Sequence, residues 1–191
     1  IKSKTVNELL KDKEIDAILN LTIPQSHYSV SKRVLNSGKH VYSEKPLATY
    51  FEKGKELVAL AKKKKLYIGN APDTFLGGGI QKAREFIDSD LIGDIKLGNA
   101  IFAFPGVESF HPKPESWYRK EGGPVIDMGP YFFTTLVNLL GPAKQVQGRT
   151  LTAFKKRIYG AGPKKNKSFK VETPTTYLAT IQFHTGAIIQ V

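Results

Sequence analysis

From Ile15 to Gly69 short apolar runs alternate with amphipathic helical patterns, and no other feature narrows the possible architectures of this chain as much. Ile15-Asp16-Ala17-Ile18-Leu19-Asn20-Leu21 is a compact apolar run closed by Thr22-Ile23-Pro24. A strand that apolar is expected inside a parallel sheet, covered on both faces. Ser26 to Ser37 then shows helical spacing through Tyr28, Val30, Val34 and Leu35, and Gly38 stands where a helix C-cap belongs. His40 to Ser43 is a short strand running into Glu44-Lys45-Pro46. Glu52 to Lys64 is a second helix with Leu57, Val58, Leu60 and Ala61 as its inward stripe, and Leu66 to Gly69 is a third strand. Strand, helix, strand, helix, strand at this spacing specifies βαβ units and a parallel sheet. Ahead of them, Thr5 to Lys13 reads as a short helix with Val6, Leu9 and Leu10 on one face.

The pattern changes after about Asn70. Ala71-Pro72-Asp73 through Gly77-Gly78-Gly79 is rich in chain breakers and reads as a loop. Ile80 to Ser89 is an amphipathic helix with Ala83, Phe86 and Ile87 inward; Ile95 to Phe104 reads as a strand; Pro105 to Pro124 is a long irregular stretch. Loops of that length usually carry function or are disordered. Val125 to Leu140 is an apolar helix ended by Gly141-Pro142. Lys144 to Phe154, Thr176 to Phe183 and Ala187 to Val191 read as strands, the last two joined by His184-Thr185-Gly186, which points to an antiparallel sheet. No internal repeat is visible. The chain opens on a helix without the strand expected before it and stops inside an apparent hairpin strand. It is therefore read as part of a longer polypeptide, incomplete at both ends.

A chain of 191 residues can bury a substantial core without staples. It has no cysteine, hence no disulfide, no thiol nucleophile and no CxxC site. No segment reaches the roughly 18 continuous apolar residues of a spanning helix, and no apolar run follows the first residues as in a signal peptide. A cytoplasmic protein without a membrane role is expected. The net charge of +12 draws on Lys62 to Lys65 and on the basic residues between Lys155 and Lys170. The first group sits at a helix C-terminus, where cations meet the dipole favourably. The second reads as a solvated loop. Charge alone, without interleaved aromatics or a helix-turn-helix pattern, does not make a nucleic-acid binder. His40, His111 and His184 show no metal-ligand spacing, so no metal is expected.

Two clusters carry chemistry. In open α/β sheets ligands lie at the carboxyl ends of the strands, here Thr22-Ile23-Pro24 and Ser43-Glu44-Lys45-Pro46. A residue before proline is held extended, so Lys45 is presented from a rigid backbone, able to donate to a substrate hydroxyl and to stabilise developing negative charge; an exposed turn pair of Glu44 and Lys45 is the plainer alternative. The second cluster is Gly122-Gly123-Pro124-Val125-Ile126-Asp127-Met128-Gly129-Pro130-Tyr131. Asp127 falls in the first turns of the helix and Tyr131 four residues on, on the same face if the helix is continuous. A carboxylate and a phenol beside a lysine could handle protons, although first-turn acids also serve simply as helix caps. His111, Trp117, Tyr118 and Arg119 in the long loop suit either hydroxyl recognition and stacking or a packing lid.

Gly38-Lys39-His40-Val41-Tyr42-Ser43-Glu44-Lys45-Pro46-Leu47-Ala48 resembles the signature of the glucose–fructose oxidoreductase and inositol dehydrogenase (Gfo/Idh/MocA) family. Ala17 to His27, Ala71 to Gly77 and Gly122 to Leu140 with Gly141-Pro142 are similar to further family segments, in order, across nearly the whole chain. The resemblance implies an α/β protein. Residues 1–71 would be the C-terminal half of a Rossmann parallel sheet, part of a dinucleotide-binding domain, and 72–191 an α+β substrate and oligomerisation domain with a mostly antiparallel open sheet. It implies hydride transfer between NAD or NADP and a small-molecule sugar or polyol, in a homo-dimer or homo-tetramer formed through that sheet. Lys45 would contact the nicotinamide region and the reacting hydroxyl. Glu44 would hold the ribose side; Thr22, Pro24, His27 and Pro46 would belong to the cofactor pocket; Asp127 would orient or assist the proton relay. Where the family often has histidine four residues after this aspartate, this sequence has Tyr131, which would be acid/base or substrate anchor. The departure also permits a catalytically silent, cofactor-binding or regulatory subunit. The family's GxGxxG turn is not among these residues, so the choice between NAD and NADP is not readable here. The expectation on which the chemistry depends is that Lys45 and Asp127 serve one cleft.

Overall fold

The structure is a computed structural model that describes residues 3–191. The chain falls into two compact units, one running to Pro72 and the other spanning Asp73–Val191.

In the first unit, α1 (Val6–Lys11) opens on a reciprocal cap. The Glu8 N–H donates to the Thr5 hydroxyl and the Thr5 N–H to the Glu8 carboxylate. β1 (Ala17–Asn20), α2 (Pro24–Asn36), β2 (His40–Ser43), α3 (Phe51–Lys64) and β3 (Ile68–Asn70) follow. The three strands form a parallel sheet in the order β1-β2-β3. Parallel neighbours cannot be joined by a tight hairpin, so each connection is a helix. Pro24 opens α2, where a missing N–H goes unnoticed. Lys62, Lys63 and Lys64 close α3, against the negative end of its dipole.

Val34, Leu35, Val41, Leu57 and Ala61 form the core between sheet and helices. Side chains alternate across a strand, so Asn20, Val41 and Ser43 are buried while Leu19 (68 % exposed) and Tyr42 lie on the opposite face. The expected covering of the Ile15–Leu21 run on both faces is thus corrected: one face carries the helices, and Leu19 and Leu21 are exposed. Val58 also departs from the expected stripe. Leu57 and Ala61, one turn apart, point inward, and Val58 turns out to solvent.

The second unit contains α4 (Gly78–Asp88), β4 (Leu97–Asn99), α5 (Glu115–Tyr118), α6 (Pro124–Asp127), α7 (Gly129–Leu140), β5 (Ala143–Leu151), β6 (Lys156–Ile158), β7 (Ser168–Lys170), β8 (Thr176–Phe183) and β9 (Ile188–Gln190). Its main sheet has the order β4-β9-β8-β5, antiparallel except for the β4–β9 pair. Ile181, Phe183 and Ile189 on one face form a core with Ala187 and Leu140, against which Phe133 and Leu136 of α7 pack. Arg84 of α4 donates to the carbonyls of Asn138 and Leu139 (3.0 and 2.9 Å), placing a cation at the C-terminal end of α7. Ala83 and Ile87 are half-buried as expected, but Phe86 is exposed beneath the Lys82 ammonium.

Three further expectations need correction. The strand expected over 95–104 extends only over β4 (Leu97–Asn99), with the Ala100 N–H continuing the ladder to the Gln190 carbonyl (2.8 Å). The helix expected over 125–140 breaks at Met128 into α6 and α7. Pro130 is the cause: it has no N–H to give, and its ring would collide with the carbonyl one turn back, so it is accepted only near a new helix start. Finally, the basic stretch from Lys155 to Lys170, read as a solvated loop, holds the β6–β7 ribbon. Its lysines are exposed, while Tyr159 and Phe169 turn inward to Tyr118 and Val171 as a separate core.

That core is held by a charged clamp. Lys164 Nζ donates to the Glu115 carboxylate (2.8 Å), and this bond, with one from the Tyr159 hydroxyl, pulls the Glu115 carboxyl down to about 2, from an ordinary value of about 4.3. A carboxyl depressed by folding adds stability above its ordinary value and loses it as pH falls through the folded value. Acidification from about pH 4.3 to about pH 2 is therefore expected to loosen the anchor between α5 and the ribbon. The effect is modest, because the Lys164 side chain is 56 % exposed. Denaturant titrations across this range should show a shallower acid limb for Glu115→Gln.

Candidate active site

The carboxyl ends of β1, β2 and β3 form one rim of the first unit, the edge at which ligands of open parallel sheets bind. β1 leads into Thr22 and Pro24, β2 into Glu44-Lys45-Pro46, and β3 into Ala71-Pro72; the Lys45–Pro46 and Ala71–Pro72 peptide bonds are cis. Buried and half-buried polar side chains tie these segments together. Asn20 Nδ2 donates to the His27 carbonyl (3.1 Å) and to Ser31 Oγ (2.9 Å), and Asn20 Oδ1 accepts from the Thr22 hydroxyl (2.7 Å). Asn70 Nδ2 donates to the carbonyls of Ser43 and Glu44 (both 3.0 Å), and the Glu44 N–H donates to the Asn20 carbonyl (2.9 Å). The His27 ring, 1 % exposed, bridges the carbonyls of Pro46 (2.6 Å from Nδ1) and Thr22 (2.8 Å from Nε2).

His27 therefore belongs to this rim from behind: it joins the β1 and β2 exits instead of presenting its own ring. Thr22, Glu44, Lys45 and Pro46 lie on the joined segments, and Pro24 starts the helix that leaves one of them. Sequence reasoning passed over Asn20, Ser31 and Asn70. A polar residue ending an apolar strand is the signal that could have found the two asparagines, since an amide withdrawn from water must be satisfied by its neighbours.

In the second unit a cavity of about 390 Å³ opens between the long loop, α6 and the ribbon. Asp127 lines it with Pro124 and Met128, facing an aromatic wall of Phe102, Phe104, Phe110 and Trp117. The glycine pair ahead of α6 is dictated by close approach. A Cβ on Gly122 would lie 2.7 Å from the Trp117 carbonyl oxygen and 2.9 Å from that of Ser116, and Gly123 has φ +95° and ψ 170°, a region essentially restricted to glycine and costing other residues roughly 1–3 kcal/mol. The break at Met128 alters the expected Asp127–Tyr131 relation. Asp127 ends α6, whereas Tyr131 lies in the first turn of α7 with its N–H on the Met128 carbonyl (3.1 Å), so the two stand on separate helices.

Of the loop residues singled out, Trp117 lines the cavity with the His111 ring 4.3 Å away, Tyr118 is buried, and Arg119 is exposed. Tyr118 donates to the Glu108 carboxylate, and the same carboxylate accepts from Arg157, whose guanidinium lies 5.3 Å from the Tyr118 ring centre. Burial, and then the Glu108 charge, push the Tyr118 phenol well above its usual range. Phe102, Phe104, Phe110 and Arg157 were not anticipated as site residues; the period-two placing of Phe102 and Phe104 was the available clue.

Two family profiles cover most of the chain: "Oxidoreductase family, NAD-binding Rossmann fold" over residues 2–71 and "GFO/IDH/MocA C-terminal domain" over residues 80–191. The chain belongs to the GFO/IDH/MocA family. Among its curated relatives, D-xylose dehydrogenase of Paenarthrobacter nicotinovorans is 26 % identical over 185 residues, which are 90 % of this chain and 48 % of that protein. Trans-1,2-dihydrobenzene-1,2-diol dehydrogenase of Xenopus laevis is 33 % identical over 134 residues, 68 % of this chain and 39 % of that protein. This GFO/IDH/MocA chain thus spans half or less of the length of those relatives. A solved levoglucosan dehydrogenase in complex with NADH and L-sorbose superposes with a TM-score of 0.83 at 19 % identity, over 98 % of this chain and 49 % of that one. The fold is the one expected: a Rossmann-type parallel sheet, then an α+β unit on a mostly antiparallel sheet.

Proposed function

We propose that this chain carries the alcohol-handling part of an NAD- or NADP-dependent oxidoreductase acting on a CH–OH group of a sugar, polyol or related small molecule. The observation that carries the reading is the rim in the NAD-binding-type unit, where three successive strand exits are cross-tied by Asn20, His27 and Asn70 and Lys45 stands beside a fixed proline. The named relatives, which are dehydrogenases of a sugar and of a diol, support it. The rim fits a dinucleotide in kind, offering a cation and rigid, satisfied backbone to an anionic, polar ligand.

The cofactor, when bound, accepts the hydride that leaves the carbinol carbon. Lys45 Nζ donates to the reacting oxygen and stabilises it as its proton departs, so that alcohol becomes carbonyl with one hydride and one proton removed. Asp127 orients the hydroxyl, and Tyr131 takes the proton or anchors the substrate. Glu44 with Thr22, Pro24 and Pro46 borders the nicotinamide-ribose end, and His27 holds that border in shape. Leu97, Leu151, Leu178 and Ile188 lie exposed on the sheet face opposite the core and supply the surface for a homo-dimer or homo-tetramer.

The test is steady-state oxidation of a panel of sugars and polyols by the whole protein with NAD and NADP. Turnover is expected, and Asp127→Asn and Tyr131→Phe should each lower kcat roughly 30- to 100-fold, the lower range for one proton-handling group. Cofactor binding with no turnover of any alcohol would point instead to a silent, regulatory subunit.

A further inference from the structure

We infer that the cavity beside Asp127 receives the substrate's carbon frame and that this frame is a cyclic alcohol with few hydroxyls, not a fully hydroxylated sugar. The inference rests on the reading above for which hydroxyl is oxidised, and on the cavity walls for the rest. Phe102 and Phe104 have ring centres 6.0 Å apart, and Phe104 and Phe110 6.1 Å, so the wall is one continuous aromatic surface. All three rings are 45 % to 62 % exposed, apolar area that a bound apolar group would remove from water.

Besides Asp127, the same wall holds few polar side chains, those of Trp117, Tyr118, Arg157 and Thr175, and Arg157 Nε is buried there without a hydrogen-bond partner. The Tyr118 hydroxyl and the Arg157 guanidinium both serve Glu108, and Arg157 also donates to the Pro105 carbonyl (2.6 Å). A sugar stacks one face on an aromatic ring and needs partners around its edge for four or five hydroxyls. Each hydroxyl buried without a partner weakens binding by roughly fivefold or more. A ring bearing one or two hydroxyls escapes that penalty. It also fits the volume: about 390 Å³ against the roughly 150 Å³ that accommodates benzene.

The test compares trans-cyclohexane-1,2-diol with myo-inositol, the same carbocycle carrying two and six hydroxyls, by titration calorimetry on the whole protein. The diol is expected to bind at least about tenfold more tightly. Phe104→Ala and Phe110→Ala, both at exposed rings, should each weaken the diol about three- to tenfold and leave myo-inositol unchanged. Equal or tighter binding of myo-inositol, or alanine variants that bind the diol as the parent does, overturns the inference. Kinetics separate it from the proposed function. Diol-selective binding with no oxidation of any alcohol would sink the oxidoreductase reading and leave the cavity assignment standing. Oxidation of sugars and diols at equal kcat/KM would do the reverse.

Discussion

Lys45→Ala is expected to lower kcat/KM of the whole enzyme about a thousandfold while leaving its folding intact, the scale set by removal of one preorganised donor from a developing oxyanion. The backbone at this position owes its placement to other residues: Asn70 holds the preceding carbonyls and His27 the following one. Shortening the side chain removes the ammonium while the Asn70 and His27 bonds to the neighbouring carbonyls remain. Lys45→Arg keeps the charge but replaces a compact ammonium by a planar fork, so it should recover only part of the loss. The measurement is steady-state kinetics on a substrate that the parent turns over, with thermal melts alongside. Activity within a few-fold of the parent, at unchanged melting temperature, would remove Lys45 from the chemistry.

Much of the first unit was legible because its signals are local. Apolar runs of strand length, helical stripes and punctuating prolines stand in the order in which the chain uses them. What was not legible is how much of each element finds a partner. Leu19 and Val58 look as apolar as their neighbours, and only packing decides that they face outward. In the second unit the ribbon was hidden by composition. Its strands turn Arg157 and Phe169 inward and lysines outward, so the sequence reads as a charged loop. The break at Met128 was readable: Pro130 forbids a continuous helix, a signal outweighed by the apolar periodicity around it.

The candidate site divides in the same way. Lys45, Glu44, Pro46 and Thr22 could be singled out because strand ends are where an α/β sheet meets its ligands. The network behind them joins residues far apart in sequence, Asn20 to Ser31 and Asn70 to Glu44, and no short motif announces it. The aromatic wall is likewise assembled from two segments, 102–110 and Trp117, whose proximity depends on the loop's own small core of Tyr118, Tyr159 and Phe169.

His27→Ala tests whether that network matters to function. The imidazole is almost fully buried and spans two backbone carbonyls from separate strand exits. Its removal takes a hydrogen-bond donor from between these oxygens, at about 1 kcal/mol or more, and opens a cavity in the βαβ packing around Asn20 and Ser31. Together these should reduce unfolding stability by about 3 kcal/mol in denaturant titrations. The second consequence bears on the site. With the bridge gone, the Thr22 and Pro46 segments move independently, and a ligand that needs both must first order them. Affinity for the reduced cofactor, measured at a temperature where the variant remains folded, should fall about tenfold, with kcat at saturating cofactor little changed. A folded variant that loses stability but binds cofactor as tightly as its parent would reduce His27 to a packing residue and detach the rim's hydrogen bonds from the proposed activity.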